Sequence, residues 1–209
     1  VGFSHQRLSI IDLSELGHQP MLSLDKTISL IFNGEIYNFK SIKEKLKSKG
    51  HHFISNSDTE VVIYAYQEWG IECVNMFIGM FAFSLFDSKK NIIYLVRDRA
   101  GEKPLFYSTY NSELCFASEL KTLLHFSDMP NKINFNAFDC YLLMGYVPGD
   151  LCIIDNFHKL EPAHILSYEI QTKKTKIWKY WKLPNFDNQI NYQNDRLLDD
   201  FSNLLQDSV

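Results

Sequence analysis

The chain has 209 residues, the length of one large domain or of one domain with an appendage. Its net charge of −4 gives no positive field to hold a polyanion, and 45% hydrophobic residues with 14% aromatics suit a packed domain and not a disordered one. No apolar run approaches the ~20 residues of a bilayer span, and Cys73, Cys115, Cys140 and Cys152 lack any CxxC spacing, so the composition predicts a cytoplasmic protein with reduced thiols that binds neither nucleic acid nor membrane.

In chain order, residues 28–32 form an apolar, β-branched run that reads as a buried strand. It is expected to end at Asn33-Gly34, a dipeptide suited to a turn. Residues 41–49 place Ile42 and Leu46 four apart among lysines, the pattern of a surface helix closed by Gly50. Ser57-Asp58-Thr59-Glu60 has the form of a capping box opening a helix that runs to about Trp69 and stops at Gly70. Residues 80–87 and 92–97 are apolar runs joined by Ser88-Lys89-Lys90-Asn91, a hairpin. A second pair, 105–109 and 114–117, flanks Asn111-Ser112. A short helix over 135–143 and a late hairpin of 163–170 with 176–181 complete the pattern. Residues 184–194 are polar and read as a linker, and 196–208 read as a helix with no Gly or Pro after it. Val1 in place of an initiator Met suggests a piece of a longer gene product. Hairpins in place of strand–helix–strand crossovers predict an α+β fold with antiparallel sheets covered by helices.

Several chemistries have no signature. There is no phosphate-cradling glycine loop, no dinucleotide fingerprint and no nucleophile elbow. The seven histidines show no zinc-site spacing, so no metal is expected.

Three polar constellations fall at expected strand ends or helix starts. His5-Gln6-Arg7-Leu8-Ser9-Ile10-Ile11-Asp12 carries an arginine that can grip a carboxylate bidentately, or can be a surface ion-pair residue. Asn33-Gly34-Glu35-Ile36-Tyr37-Asn38 offers a side-chain amide beside a freely oriented glycine N–H, two donors for a developing oxyanion, or else a plain turn. Asp58, in the first turn of its helix, can hold an ammonium, or can simply cap.

Taken together, these segments resemble the class II glutamine amidotransferase domain. The resemblance continues through Gly79-Met80-Phe81-Ala82-Phe83, the run from Arg97-Asp98-Arg99 to Leu105-Phe106-Tyr107, and Phe116-Ala117-Ser118-Glu119-Leu120-Lys121. That series is most similar to glutamine-hydrolysing asparagine synthetases. Tyr146-Val147-Pro148, Lys159-Leu160-Glu161-Pro162 and Tyr180-Trp181 look like their bacterial members.

The resemblance implies an N-terminal-nucleophile hydrolase fold, an αββα sandwich of two antiparallel sheets between helix layers, here truncated at its N-terminus. It implies an amidotransferase domain over 1–183, a linker over 184–194, and the first helix of a synthetase domain over 195–209. The activity implied is that of a ligase of asparagine biosynthesis. Glutamine is hydrolysed, and ammonia passes to aspartate activated in the synthetase domain. Alternatives are a relative that aminates a cell-surface sugar or a β-lactam precursor, and a non-catalytic glutamine-binding module. Residue by residue, Arg7 would bind the α-carboxylate of glutamine with the backbone of Leu8, Ser9, Ile10 and Ile11. Asn33 and Gly34 would form the oxyanion hole, and Glu35 and Asp58 would hold the α-ammonium. ATP and magnesium would belong to the synthetase domain. The partners implied are L-glutamine, that domain and a second copy in a homodimer. The family's nucleophile is an N-terminal cysteine, whereas residue 1 here is Val1. The chain alone is therefore expected to be inactive, with an apolar face exposed around Phe3 and residues 28–32. The run from Arg97 to Tyr107 is expected to be structural, its charges pairing with one another.

Overall fold

The computed structural model describes residues 1–6, 11–12, 14–125, 132–185 and 194–208. Its elements are β1 (Met21–Leu22), β2 (Ile28–Ile36), α1 (Phe39–Ser48), α2 (Asp58–Trp69), β3 (Gly79–Asp87), β4 (Ile92–Arg97), β5 (Phe106–Ser108), β6 (Cys115–Ala117), α3 (Leu120–Leu124), α4 (Phe135–Met144), β7 (His158–Lys159), β8 (His164–Glu169), β9 (Lys174–Lys179) and α5 (Asn194–Asp207). All the pairings are antiparallel. One sheet has the order β1-β2-β3-β4-β8-β9 and the other β6-β5-β7.

Strand alternation divides the large sheet between two cores. Leu30, Phe32, Ile36, Phe81, Phe83, Leu85 and Val96 face one way, onto α1 and α2. Ala82, Ile93, Leu95, Leu166 and Tyr168 face the other way, onto Leu105, Tyr107 and Leu160 of the second sheet's layer. Beyond that sheet, Leu123 of α3 packs with Cys152 and Phe157. The layer order is thus helix, sheet, sheet, helix, as the resemblance implies. α1 follows its spacing: Ile42 and Leu46 are its buried residues. α2 is buried from Asp58 to Tyr66, as a helix pressed between α1 and the sheet must be.

Four local readings need correction. Asn33-Gly34 is not a turn. β2 runs straight through it to Ile36, because the glycine serves a close strand contact described below. The capping box is half made: the Ser57 hydroxyl accepts from the Thr59 N–H at 3.2 Å, but Glu60 does not return to Ser57. Its carboxylate instead accepts the N–H groups of Ile54 and Ser55 and the Ser55 hydroxyl, at 2.6–2.9 Å. Those loop amides have no helical partner, so they outcompete a cap amide already served by Ser55 Oγ at 3.2 Å. Residues 28, 30 and 32 are buried rather than exposed, since α1 and α2 cover them, and Phe3 stacks edge-on against Phe116. Exposed apolar side chains instead gather on α4, among them Phe135, Leu142 and Leu143. The fourth correction concerns the charges from Arg97 onward, treated with the site.

Candidate functional site

The site grows from the outer edge of β2. In an antiparallel strand, successive residues point their N–H and C=O groups to opposite sides. Even-numbered residues of β2 point away from β3, because Ile28, Phe32 and Ile36 all find partners on that side. The Phe32 N–H donates to Gln19 Oε1 at 2.6 Å, and Gln19 Nε2 donates back to the Phe32 carbonyl at 3.1 Å. The Ile36 N–H donates to Asp58 Oδ2 at 3.0 Å. Gly34 lies midway, and its N–H points the same way without a hydrogen-bond partner among the described residues. One open amide between two closed ones is what an anion-stabilising donor requires.

The same position explains the glycine. At φ +146°, a Cβ on Gly34 would lie 2.1 Å from the Met80 carbonyl oxygen and 2.6 Å from Phe81 Cα. A Cβ on Gly79 would lie 2.1 Å from the Glu35 carbonyl oxygen. Two glycines thus let β2 and β3 touch backbone to backbone. Across from Gly34, the Phe81 N–H donates to Asp98 Oδ2 at 3.2 Å, and the Asp98 N–H donates to the Phe81 carbonyl at 2.8 Å.

Asp98 is fully buried and also accepts the N–H groups of Ala100, Glu102 and Lys103, each at 3.0 Å. Arg97 donates to the carbonyls of Lys103, Gly101 and Leu160 at 2.6–2.8 Å. Arg99 donates to the Asn75 carbonyl and lies over the Trp181 ring. The run is structural, as expected, but its charges bind backbone and not one another. A tight loop has more orphan amides and carbonyls than these side chains could leave unserved.

Asn33 alternates to the inter-sheet face, where its Nδ2 approaches Ser118 Oγ at 3.4 Å. Asp58 opens α2 and is 4% exposed. Burial pushes its carboxyl above the ordinary carboxylate range. The N–H groups of Ile36 and Thr59 pull the other way, and the charge of Glu35 adds to the rise. Asn33, Gly34, Glu35 and Asp58 are therefore brought to one strand end. Arg7, Leu8, Ser9 and Ile10 lie outside the described residues. Ile11 is half-buried, and beside it Asp12 Oδ2 accepts the Asn56 N–H at 2.9 Å, on the loop leading into α2.

The cysteines stand apart. Cys73 is buried in the helix-side core, and burial raises its thiol well above the usual range. Cys115 and Cys152 are raised for the same reason. Cys115 faces the α3 layer, while Phe116, its neighbour on β6, turns to the inter-sheet core. Among the described residues no group of three or more His, Cys, Asp or Glu could hold a metal, and no helix is long and apolar enough to cross a membrane.

Sequence reasoning passed over Gln19 and Ser118. Ser118 sits within a quoted motif and was recoverable. Gln19 is a lone amide before a proline, and its importance arises only when β2 is laid beside it.

Residues 1–181 match the profile of the glutamine amidotransferase domain family. The chain is 36% identical, over its full length, to the putative asparagine synthetase [glutamine-hydrolyzing] 2 of Methanocaldococcus jannaschii, of which it covers 43%. It is 38% identical, again over its full length, to asparagine synthetase [glutamine-hydrolyzing] 2 of Bacillus subtilis, of which it covers 29%. The chain thus spans less than half the length of these relatives. The glutamine phosphoribosylpyrophosphate amidotransferase of B. subtilis shares the fold, with a TM-score of 0.58 at 19% identity over 87% of this chain and 35% of that one.

Proposed function

The chain belongs to the glutamine amidotransferase domain family, and from that membership we propose that it is the glutamine-binding, ammonia-releasing half of a glutamine-hydrolysing, ATP-dependent asparagine synthetase. The observation that carries the reading is the open Gly34 N–H beside the Asn33 amide, with the buried Asp58 carboxylate two residues along the same edge. The acceptor is proposed from the names of the relatives that match the whole chain.

Each end of the substrate has a matching group. The Arg7 guanidinium takes the α-carboxylate with two parallel hydrogen bonds, supported by the backbone of Leu8, Ser9, Ile10 and Ile11. Asp58 and Glu35 take the α-ammonium. Asp58 is suited to this because burial makes its lone charge costly, and an arriving cation offsets that cost. The side-chain amide then reaches Asn33 and Gly34. As a nucleophile adds to the amide carbon, the carbonyl oxygen becomes an oxyanion and accepts from Asn33 Nδ2–H and the Gly34 N–H. The C–N bond breaks next, ammonia leaves, and water releases glutamate.

In this family's chemistry the nucleophile is an N-terminal cysteine whose own α-amino group acts as base. The residues named above supply recognition and oxyanion stabilisation for that step. ATP and magnesium serve the acceptor half of the reaction. No step of hydrolysis is routed through them. α5 is proposed as the first helix of that half, beginning at Asn194, the last residue of the expected linker over 184–194, of which 186–193 lie outside the described residues. It exposes Leu197, Phe201, Leu204 and Leu205 at helical spacing, and it follows the end of the matched family region.

The test pairs calorimetry of glutamine on this chain with ammonia release by the full polypeptide. Charge-assisted hydrogen bonds of about 1.5–3 kcal/mol predict that Arg7→Ala and Asp58→Asn each weaken glutamine binding roughly 10- to 100-fold. Unchanged affinity in either variant sinks the assignment of that residue. Amination of aspartate by the full polypeptide, with glutamine and ATP, tests the acceptor.

A further inference from the structure

Gly34 has no side chain to fix the direction of its N–H, and at φ +146° its own torsional preference is weak. Among the described residues the Asn33 side chain is held on the inter-sheet face by one long 3.4 Å contact to Ser118. The β3 ladder holds the strand from one side, at Ile31, Asn33 and Glu35; on the opposite, outer edge, where the Gly34 N–H points, the strand is held by what grips it on either side of the donor pair. On the C-terminal side the grip is Asp58 on Ile36; across the ladder it is Asp98 on Phe81. On the N-terminal side it is Gln19 on Phe32.

Gln19 differs from an ordinary surface amide in three ways. It is 5% exposed. Both ends of its amide are used, one as acceptor and one as donor, on the same residue. Those two bonds reproduce what a neighbouring strand would supply at Phe32, where β1, beginning at Met21 opposite Leu30, does not reach. The Phe32 ring is meanwhile buried against Phe83, so Phe32 is locked through both its side chain and its backbone. An apolar side chain of equal size would fill the space but orphan one amide and one carbonyl, leaving the outer edge of the strand unheld just ahead of Asn33.

We propose that Gln19 is a positioning residue for glutamine hydrolysis: by standing in for a strand at Phe32, it holds Asn33 and Gly34 aimed at the oxyanion. The proposal rests on the oxyanion reading given above. Gln19 does not touch glutamine in this scheme; it acts through Phe32, so its loss shows in turnover and not in substrate affinity.

The experiment is steady-state ammonia release by the full polypeptide carrying these residues, with kcat and KM measured separately. Removing one oxyanion donor typically costs 10²–10³ in kcat, and a misaimed donor costs less. Gln19→Met is expected to lower kcat roughly 10- to 100-fold, with KM within about threefold. Gln19→Glu keeps the acceptor for the Phe32 N–H and is expected to lose less; it carries the comparison if Gln19→Met does not fold. Leu46→Ala, a core truncation on α1, controls for lost stability and is expected to keep the parental kcat. Amide hydrogen exchange on the unsubstituted chain is a separate arm, with Phe32 expected to be at least ~100-fold better protected than Gly34. An unchanged kcat in the folded Gln19 variants, an equal loss in Leu46→Ala, or equal protection at Phe32 and Gly34 overturns the proposal alone. No ammonia release by the unsubstituted polypeptide, or an unchanged kcat in Asn33→Ala, sinks the oxyanion reading and the proposal with it.

Discussion

Gly34→Ala puts the strand contact at the centre of the site to a direct test. The added Cβ would fall 2.1 Å from one backbone oxygen and 2.6 Å from one backbone carbon, both in β3. Normal van der Waals contact begins near ~3.5 Å, so β2 and β3 must part by about 1 Å, and backbone cannot swing aside as a flexible side chain can. Forced overpacking costs about 1–3 kcal/mol. A side chain at φ +146° adds about 1–3 kcal/mol of backbone strain. The sum is roughly 2–6 kcal/mol. Gly50→Ala separates the two contributions. Gly50 also has a positive φ, +94°, but nothing lies within 4 Å of its Cβ position, so that variant carries backbone strain without the clash. Urea unfolding of both variants measures the difference. Gly34→Ala is expected to be at least about 1 kcal/mol the less stable of the two, with amide shifts changed at Phe81 and Asp98. Equal losses would refute the strand-contact argument and reduce Gly34 to a torsional requirement.

Other outcomes follow from the same contacts. Glu60→Ala removes the acceptor of three donors in the loop before α2, two of them on the buried Ser55, and is expected to cost about 2–4 kcal/mol, read by thermal unfolding, with faster amide exchange at Ile54 and Ser55. Arg97→Lys keeps the charge but not the fork that reaches three carbonyls, so a loss of about 1–3 kcal/mol is expected by urea titration; no loss would show that the carbonyls are served in some other way. Because the folded-state pKa of Asp58 is raised, its proton-linked stabilisation is fully present below the unfolded-state value and is lost as pH rises through the folded value. The stability difference between the parent chain and Asp58→Asn is therefore expected to shift in the parent's favour as pH falls from neutral into the carboxylate range. Glutamine affinity, which needs the ionised carboxylate, is expected to fall over the same window.

The elements that depend on local pattern were legible in the chain alone. α1, α2, the β3–β4 hairpin and the late hairpin all lie within a few residues of where periodicity and turn residues place them. That is because amphipathic spacing and glycine stops act over one or two turns of chain. The candidate residues Asn33, Glu35 and Asp58 were legible as chemistry too, since an amide beside a glycine and a carboxylate at a helix start are recognisable types. Their meeting was not. Gly34 looked like a turn residue because its need for a missing Cβ comes from Met80 and Phe81, more than 40 positions away. Glu60 looked like a cap because its competing partners lie in a loop whose path only packing decides. The charges from Arg97 onward looked like ion pairs because the orphan backbone groups they serve exist only once that loop has folded against β3 and the segment from Leu160 to Ala163. Residue type set what each group can do, whereas hydrogen-bond demand across distant strands decided which groups were needed, and where.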